Sequence, residues 1–433
     1  MKNGRIVTIK KFKYIDLFAG IGGFHLALDG LGGECVFASE IDAKAAEVYK
    51  INHLAGREDV MHGDIIALTE PSVSPLVPEH DVLAAGFPCQ PFSKGGFQKG
   101  INEARGTLFF NIASILKDRN PRYFVLENVR NLIGPRHQQT WETIYEILTG
   151  LGYWVSRTPS VLSPHLIPPE SGGSPQVRER VYIIGIKKEL LTDGQIVENE
   201  KFIIPMKQFK DFSPSTWNVK RDIAEKNSRG EVLNVDRKLA IEIWADFLRT
   251  VGTQDSTRSL PGFPIWEWAL EETPKISPND PKWKVDFLRK NSDLYVSKKE
   301  AVDNWRNRNP LITSLPNSYR KFEWQAGAQN TLRGTAIQFR PSGIRVKVAN
   351  YLPALVAMNQ TSYLYDEERF LSVQEAAKLQ GFPKDFNFGT QPNQASFKQL
   401  GNAVCVGVVR YVLTETLSHF NLNIHGEKIE PTS

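Results

Sequence analysis

DLFAGIGGF, residues 16 to 24, takes an apolar run into three closely spaced glycines and then into the helix-like FHLALDGLG. Gly20, Gly22 and Gly23 let a backbone turn tightly and approach a ligand, and a helix start behind them presents unpaired N–H groups. Glu40 closes the next apolar run, ECVFASE (34–40), 20 residues beyond Gly20. That offset suits an acid hydrogen-bonded to ribose hydroxyls. Asp64, in HGDII, stands where a third strand should end, placed to accept from an adenine amino group, and Phe18 is placed to stack on the purine. The spacing G-x-G-G is not the dinucleotide G-x-G-x-x-G, which favours an adenosyl ligand over NAD.

The alternation continues outward. YIDLF (14–18), ECVFASE (34–40), DVLAAGF (81–87), RYFVLENV (122–129) and RVYIIGI (180–186) are strand-like, with amphipathic stretches such as IDAKAAEVYKINH and WETIYEILTGLG between them. Apolar strands separated by amphipathic helices predict parallel βαβ units, hence a doubly wound α/β sheet. After Lys187 the rhythm stops. Residues 187 to 338 mix charge, Pro, Asn and aromatics, hold seven of the nine Trp, and carry 25 Lys or Arg against 21 Asp or Glu, most of the chain's net charge of +5. Patterned sequence returns at SGIRVKVANYLPALVAM (342–358), LSVQEAAKLQGFP (371–383) and VCVGVVRYVLTETL (404–417).

At 433 residues, 41% hydrophobic and 23% charged, the chain fits an ordinary globular protein of two or three domains. Cys35, Cys89 and Cys405 are the only cysteines and have no CxxC spacing, which argues against a disulfide framework or a cysteine zinc site; no metal is expected. The start, MKNGRIVTIKKFKYIDLFAG, lacks an uninterrupted apolar core, and no stretch approaches about 18 consecutive apolar residues. A cytoplasmic protein without membrane insertion is the expectation.

In DVLAAGFPCQPFSKGG (81–96) a strand ends between two prolines that bracket Cys89. A lone Cys is more often a small buried hydrophobe than a nucleophile, but this one follows a strand at the edge of a nucleotide-binding sheet where ligands bind. Glu127 also ends an apolar strand, and Arg178 and Arg180 in QVRER share one side of an extended segment, since side chains alternate with period two. The glycines of SKGGFQKG suit a mobile loop after the thiol.

FAGIGGF, SEID, GFPCQPFS, RGTLFF, ENV, QVRER and KQLGNAV occur in an order that resembles the DNA (cytosine-5)-methyltransferases, over about the first 187 residues and again from about 340 to 417. The resemblance implies a Rossmann-like S-adenosylmethionine-dependent methyltransferase sheet with a smaller, irregular target-recognition domain. Residues 1–187 and 388–433 would form the catalytic domain and 188–387 the small one, with target recognition at about 188–338. It implies Cys89 as nucleophile on carbon 6 of a flipped cytosine, Glu127 as acid at ring nitrogen 3, Arg180 on the cytosine carbonyl and Arg178 in support. It further implies cofactor contacts from Phe18, Ala19, Gly20, Gly22, Gly23, Glu40, Ile41, Asp64, Ile65, Gly86, Pro88, Leu108, Asn402 and Val404. DNA contacts would come from Gln90, Ser93, Lys94 and Gln176. The compact chain resembles bacterial or phage restriction-modification enzymes, a monomer acting on double-stranded DNA and paired in function with an endonuclease without a stable complex. A tRNA cytosine-5 methyltransferase and a catalytically silent DNA-binding relative are the competing readings. The long middle region favours DNA over tRNA, and the full set of chemical residues disfavours silence.

Overall fold

The computed structural model describes residues 11–69, 76–88, 108–204, 209, 212–226, 228–252, 258–355 and 361–429. They fall into two units: Met1–Thr216 with Ala377–Ser433, and Trp217–Ala376. Residues 188–216 and 377–387 therefore go with the first unit, outside the 1–187 and 388–433 span expected for the catalytic domain.

The first unit is built on β1 (Phe12–Leu17), β2 (Gly33–Ser39), β3 (Met61–His62), β4 (Val82–Gly86), β5 (Tyr123–Val129), β6 (Tyr153–Val155), β7 (Ser160–Leu162), the two-residue β8 (Gln176–Val177) and β9 (Arg180–Lys187). One sheet runs β3-β2-β1-β4-β5-β9-β6, with β7 also on β9. β1 to β5 pair parallel. β4 and β5 are buried almost end to end, as near-continuous apolar strands covered on both faces must be. Strand order reverses at β1, with β2 on one side and β4 on the other, so a crevice opens at the carboxyl ends of β1 and β4.

RVYIIGI departs from the parallel series in which the alternation puts it: β9 runs antiparallel to β5, β6 and β7. A parallel return needs a long crossover, usually a helix, whereas β7 and β9 are joined only through short turns at Pro164–Leu166 and Pro169–Ser171 and through β8.

Around the first sheet lie α1 (Gly23–Asp29), α2 (Ala43–His53), α3 (Ile65–Leu68), α4 (Leu108–Arg119), α5 (Gln138–Gly150) and α6 (Asp193–Glu198). The second unit holds α7 (Val219–Asp222), α8 (Val235–Val251), α9 (Lys282–Ser297) and α10 (Lys299–Arg308), then β10 (Ile265–Trp266), β11 (Lys321–Gln325), β12 (Thr335–Arg340), β13 (Gly343–Val348), β14 (Leu352–Pro353), β15 (Tyr363–Leu364) and β16 (Arg369–Phe370). α11 (Val373–Leu379), α12 (Asn393–Asn402) and α13 (Val406–His419) complete the chain. Asn393–His419 is long and apolar enough to cross a membrane by composition, yet Val406, Val408, Val409, Val412 and Leu413 of α13 are buried within the protein as core.

The second unit is more regular than its sequence. A six-stranded sheet, β10-β11-β13-β12-β15-β16, packs Phe322, Trp324, Ile337 and Val346 against Trp244, Phe247 and Trp305 from α8 and α10. Trp244 stacks on Phe322 at 4.9 Å, and the Trp244, Trp305 and Trp324 indoles donate to backbone carbonyls of Tyr319, Ile243 and Gly327. Each buried indole is thus satisfied. The alternation of these short strands is blurred because their polar face is itself partly buried, with Glu323 paired to Arg340 and Arg345.

Candidate active site

β1 ends at Leu17, and the chain turns through three left-handed residues: Phe18 (φ 55°), Gly20 (φ 55°) and Gly22 (φ 91°). Glycine adopts this region without the Cβ penalty, which explains Gly20 and Gly22, whereas Phe18 takes it up at a cost. Ala19 N–H donates to the Ser39 carbonyl, tying the turn to β2. Glu40 does the same from its side chain: Oε2 accepts from Gly20 N–H and Oε1 from Asp42 N–H, both at 2.8 Å. Two carboxylate oxygens offer about four acceptor positions, so Glu40 holds the turn and retains lone pairs for a ligand hydroxyl. A Cβ built on Gly20 meets no heavy atom within 4 Å, so the outer side of the turn is open.

The ends of β2 and β3 adjoin, since Glu40 N–H donates to the His62 carbonyl. Beyond them two large apolar side chains stand in solvent, Ile41 at 74% and Ile66 at 53% exposure. Asp64 caps α3 by accepting from Ile66 N–H at 3.0 Å through one oxygen. Ile65 faces inward into the sheet core, and Leu108 is partly buried against that core. The exposed apolar side chains close in sequence to Glu40 and Asp64 are thus Ile41 and Ile66, while the Ile65 side chain belongs to the core. The sequence could have indicated this only through the helix start at Asp64, which turns the next residue inward.

Val404 is buried behind the turn: a Cβ on Gly23 would come 2.7 Å from its Cγ2, and one on Gly86 3.8 Å from its Cγ1. It wedges the ends of β1 and β4 in place, while Asn402 is exposed at the end of α12.

On β5, Glu127 is opposite Gly86 of β4 and opposite Tyr182 of β9. Because paired residues share a face, Arg180, two residues from Tyr182, reaches diagonally to Glu127, with Nε 3.0 Å from Oε1. Oε1 makes no aligned hydrogen bond at this distance. Burial pushes the Glu127 carboxyl above its ordinary pKa, opposed by Arg178 and then Arg180. The other oxygen faces Gly86, where a Cβ would sit 4.0 Å away. Next along β5, the Asn128 amide donates to the Phe87 carbonyl at 2.9 Å and its oxygen accepts from Val129 N–H. The chain then leaves β4 through exposed Pro88.

Arg178 is buried, donating to the carbonyls of Gly401 and Ala403 at 3.0 and 2.8 Å, and its backbone N–H donates to Ser163 Oγ. Burial, then Arg180, brings its pKa down to about 10, which leaves it charged at neutral pH. Gln176 is fully buried, and its amide N and O have no hydrogen-bond partner among the described residues. Gln176, expected at DNA, has no exposed surface in this structure. Cys89, Gln90, Ser93 and Lys94 lie outside the described residues. Asn128 was not singled out from the sequence, where it is merely the residue after Glu127, because its partner lies 41 residues away.

A family model described as C-5 cytosine-specific DNA methylase matches residues 12–418. The type II methyltransferase M.AluI of Cellulosimicrobium cellulans is 39% identical, covering 94% of this chain and 92% of that protein. M.HhaI of Haemophilus parahaemolyticus is 34% identical, covering 94% and 95%. Among solved structures, a candidate DNA modification methyltransferase encoded within an E. coli prophage shares the fold at TM-score 0.53 and 20% identity, covering 95% of this chain and 99% of that one. A buried acid and two arginines at the carboxyl edge of a nucleotide-binding sheet, with this match along nearly the whole chain, place the protein in the C-5 cytosine-specific DNA methylase family.

Proposed function

We propose that this DNA cytosine-5 methyltransferase uses S-adenosylmethionine to methylate cytosine in a specific double-stranded sequence, by flipping the base and attacking it with Cys89. The observation that carries the proposal is the pair of buried Glu127 and half-buried Arg180 beside Gly86, three residues before Cys89 in the chain.

The residues at the β1 turn fit the cofactor: open space over Gly20, the Glu40 carboxylate for ribose hydroxyls, exposed Ile41 and Ile66 for the adenine faces, and Asp64 for its amino group. When bound, S-adenosylmethionine supplies an electrophilic methyl group. Carbon 5 of cytosine is too weak a nucleophile to take it unaided. Addition of the Cys89 sulfur to carbon 6 breaks the C5–C6 double bond and makes carbon 5 nucleophilic towards that methyl; once carbon 5 carries it, loss of the carbon 5 proton to a base or water expels the Cys89 thiolate from carbon 6 and restores aromaticity. A thiol near its ordinary pKa of about 8.5 is mostly protonated at neutral pH, so the addition needs proton removal or a lowered pKa. Glu127, whose pKa burial raises, donates in its protonated form to ring nitrogen 3 as electrons arrive there, and Arg180 binds the ring carbonyl oxygen. Arg178 holds the Gly401–Ala403 return beneath this pair. Carbon 6 is inaccessible in a stacked duplex, so the nucleotide must rotate out.

Target recognition falls to residues 188–338, most of them in the second unit, whose basic and aromatic side chains suit phosphate contacts and stacking. Kinship to type II methyltransferases supports a role in protecting host DNA from an endonuclease, as a cytoplasmic monomer. The test is transfer of labelled methyl from S-adenosylmethionine to mixed genomic DNA, with tRNA in parallel. Label on carbon 5 of DNA cytosine is expected, and Cys89→Ser should abolish it. Label on tRNA alone, or normal turnover by Cys89→Ser, would overturn the proposal. Bisulfite sequencing of host DNA then reads the target.

A further inference from the structure

His53, the last residue of α2, is half-buried beneath the glycine turn, and no part of the proposed chemistry uses it. Its Nε2 lies 3.1 Å from the Ile21 carbonyl. A carbonyl only accepts, so the ring carries its proton on Nε2 and donates. Burial, then the neighbouring His25, brings the His53 pKa down to about 4, which keeps the ring neutral and the donor in place at neutral pH.

The turn is shaped around this ring. Gly22 sits at φ 91°, and a Cβ there would come 2.2 Å from His53 Nε2. The missing side chain is therefore needed both for the backbone conformation and for the approach of the imidazole. Behind it the ring stacks on His25 at 4.4 Å and meets Tyr49 and Phe386 edge-on or tilted. His25 is locked in turn, with Nδ1 2.8 Å from the Tyr49 hydroxyl and Nε2 3.1 Å from Asp29, which also accepts from the Tyr14 hydroxyl. The imidazole of His53 is thus fixed on several sides and has little freedom to leave Ile21.

Two backbone groups of the turn are consequently clamped from the protein side: Gly20 N–H by Glu40, and Ile21 C=O by His53. Between them the outer side of Gly20 is left open. We infer that His53 is a positioning residue for S-adenosylmethionine, holding the left-handed glycine turn in its binding conformation through the Ile21 carbonyl. The inference rests on the proposed function of that turn as the cofactor site.

The test uses the full chain, with cofactor affinity read by calorimetry and methylation kinetics measured alongside. His53→Phe keeps a ring in the cavity but cannot donate; His53→Gln keeps a donor at similar reach. Leaving a buried carbonyl unpaired is expected to weaken S-adenosylmethionine binding by about tenfold in His53→Phe, with a matching rise in its KM. kcat at saturating cofactor and DNA affinity should stay within about twofold, and His53→Gln should recover most of the loss. Parental cofactor affinity in His53→Phe, or equal loss in both variants, would overturn the inference. If His53→Phe does not fold, Gly22→Ala, whose methyl must displace the imidazole, takes its place, and unchanged cofactor affinity there overturns the inference equally. Gly20→Val separates the two levels, because it fills the open side of the turn. Retained cofactor binding in Gly20→Val defeats the cofactor-site reading itself, whereas loss there with a normal His53→Phe defeats only the role of His53.

Discussion

The Asn128 side-chain amide donates to the Phe87 carbonyl at 2.9 Å, joining the residue after the buried acid on β5 to the end of β4, two residues before Cys89. This side chain extends the tie between the acid's strand and β4 beyond the last paired residues, Gly86 and Glu127. Asn128→Ala removes the donor and leaves a buried carbonyl unpaired, at a cost of about 1–3 kcal/mol. Displacing reacting groups by even a fraction of an ångström is expected to lower kcat by about 10- to 100-fold, with cofactor affinity unchanged. Stopped-flow single turnovers and calorimetry check this; a normal single-turnover rate would mean that the strand end is held by other contacts.

Glu127 must carry a proton to act as an acid, and burial raises its pKa. Single-turnover rates should therefore be flat at low pH and fall as pH rises through the raised value, within the range where the thiol itself does not limit. Glu127→Gln should lose about 10²–10⁴-fold in rate. For stability the sign is opposite to that of an ordinary carboxylate. A carboxyl whose folded pKa is raised contributes stability that is fully present below its unfolded pKa and is lost as pH rises through the folded one. Glu127→Gln should thus gain thermal stability relative to the parent as pH rises, and calorimetric melts between pH 5 and 8.5 that show no such gain would mean the acid is already ionised across that range.

Arg178 supports two buried carbonyls and exerts the strongest charge influence lowering the Glu127 pKa. Arg178→Met should cost about 2–4 kcal/mol through the orphaned carbonyls. It should also move the alkaline limb of the rate profile to higher pH, because Glu127 loses a stabilising cation. Arg178→Lys should retain the position of that limb better than Met does, and a limb that stays fixed in both would separate Arg178 from the acid.

The tryptophans of the second unit divide sharply. Trp244→Ala opens a cavity in a fully buried cluster and should destabilise that unit by about 3–5 kcal/mol. Trp283, 59% exposed, should tolerate Ala within about 0.5 kcal/mol. Denaturant melts of the two variants give the comparison directly.

What could be read from the sequence was what is local in the chain. The FAGIGG turn, Glu40 at the end of β2 and Glu127 at the end of β5 are each set by a strand running into its own terminus, and the structure brings them to one sheet edge. What could not be read depends on partners far away in sequence. His53 meets Ile21 across 32 residues, Asn128 meets Phe87 across 41, and neither residue type announces itself. Gln176 resembles a surface polar residue until the fold closes over it. Ile65 turns into the core and Ile66 out to solvent because the Asp64 cap sets which side of the first helical turn faces in. The second unit hides its sheet because its strands are short, its core is aromatic, and part of its polar face is neutralised by ion pairs.

Since β9 runs against its neighbours, Arg180 stands at the start of a strand held by a ladder of backbone hydrogen bonds, directly across from Val129 and diagonal to Glu127. The separation between acid and cation is consequently a property of the sheet's register, as rigid as the repeat distance between strands. On the proposed reading, this pair is a template to which the incoming cytosine ring must conform. A change in the flanking sequence selected would then arise in the target-recognition residues, leaving untouched the answer to which base is chemically altered.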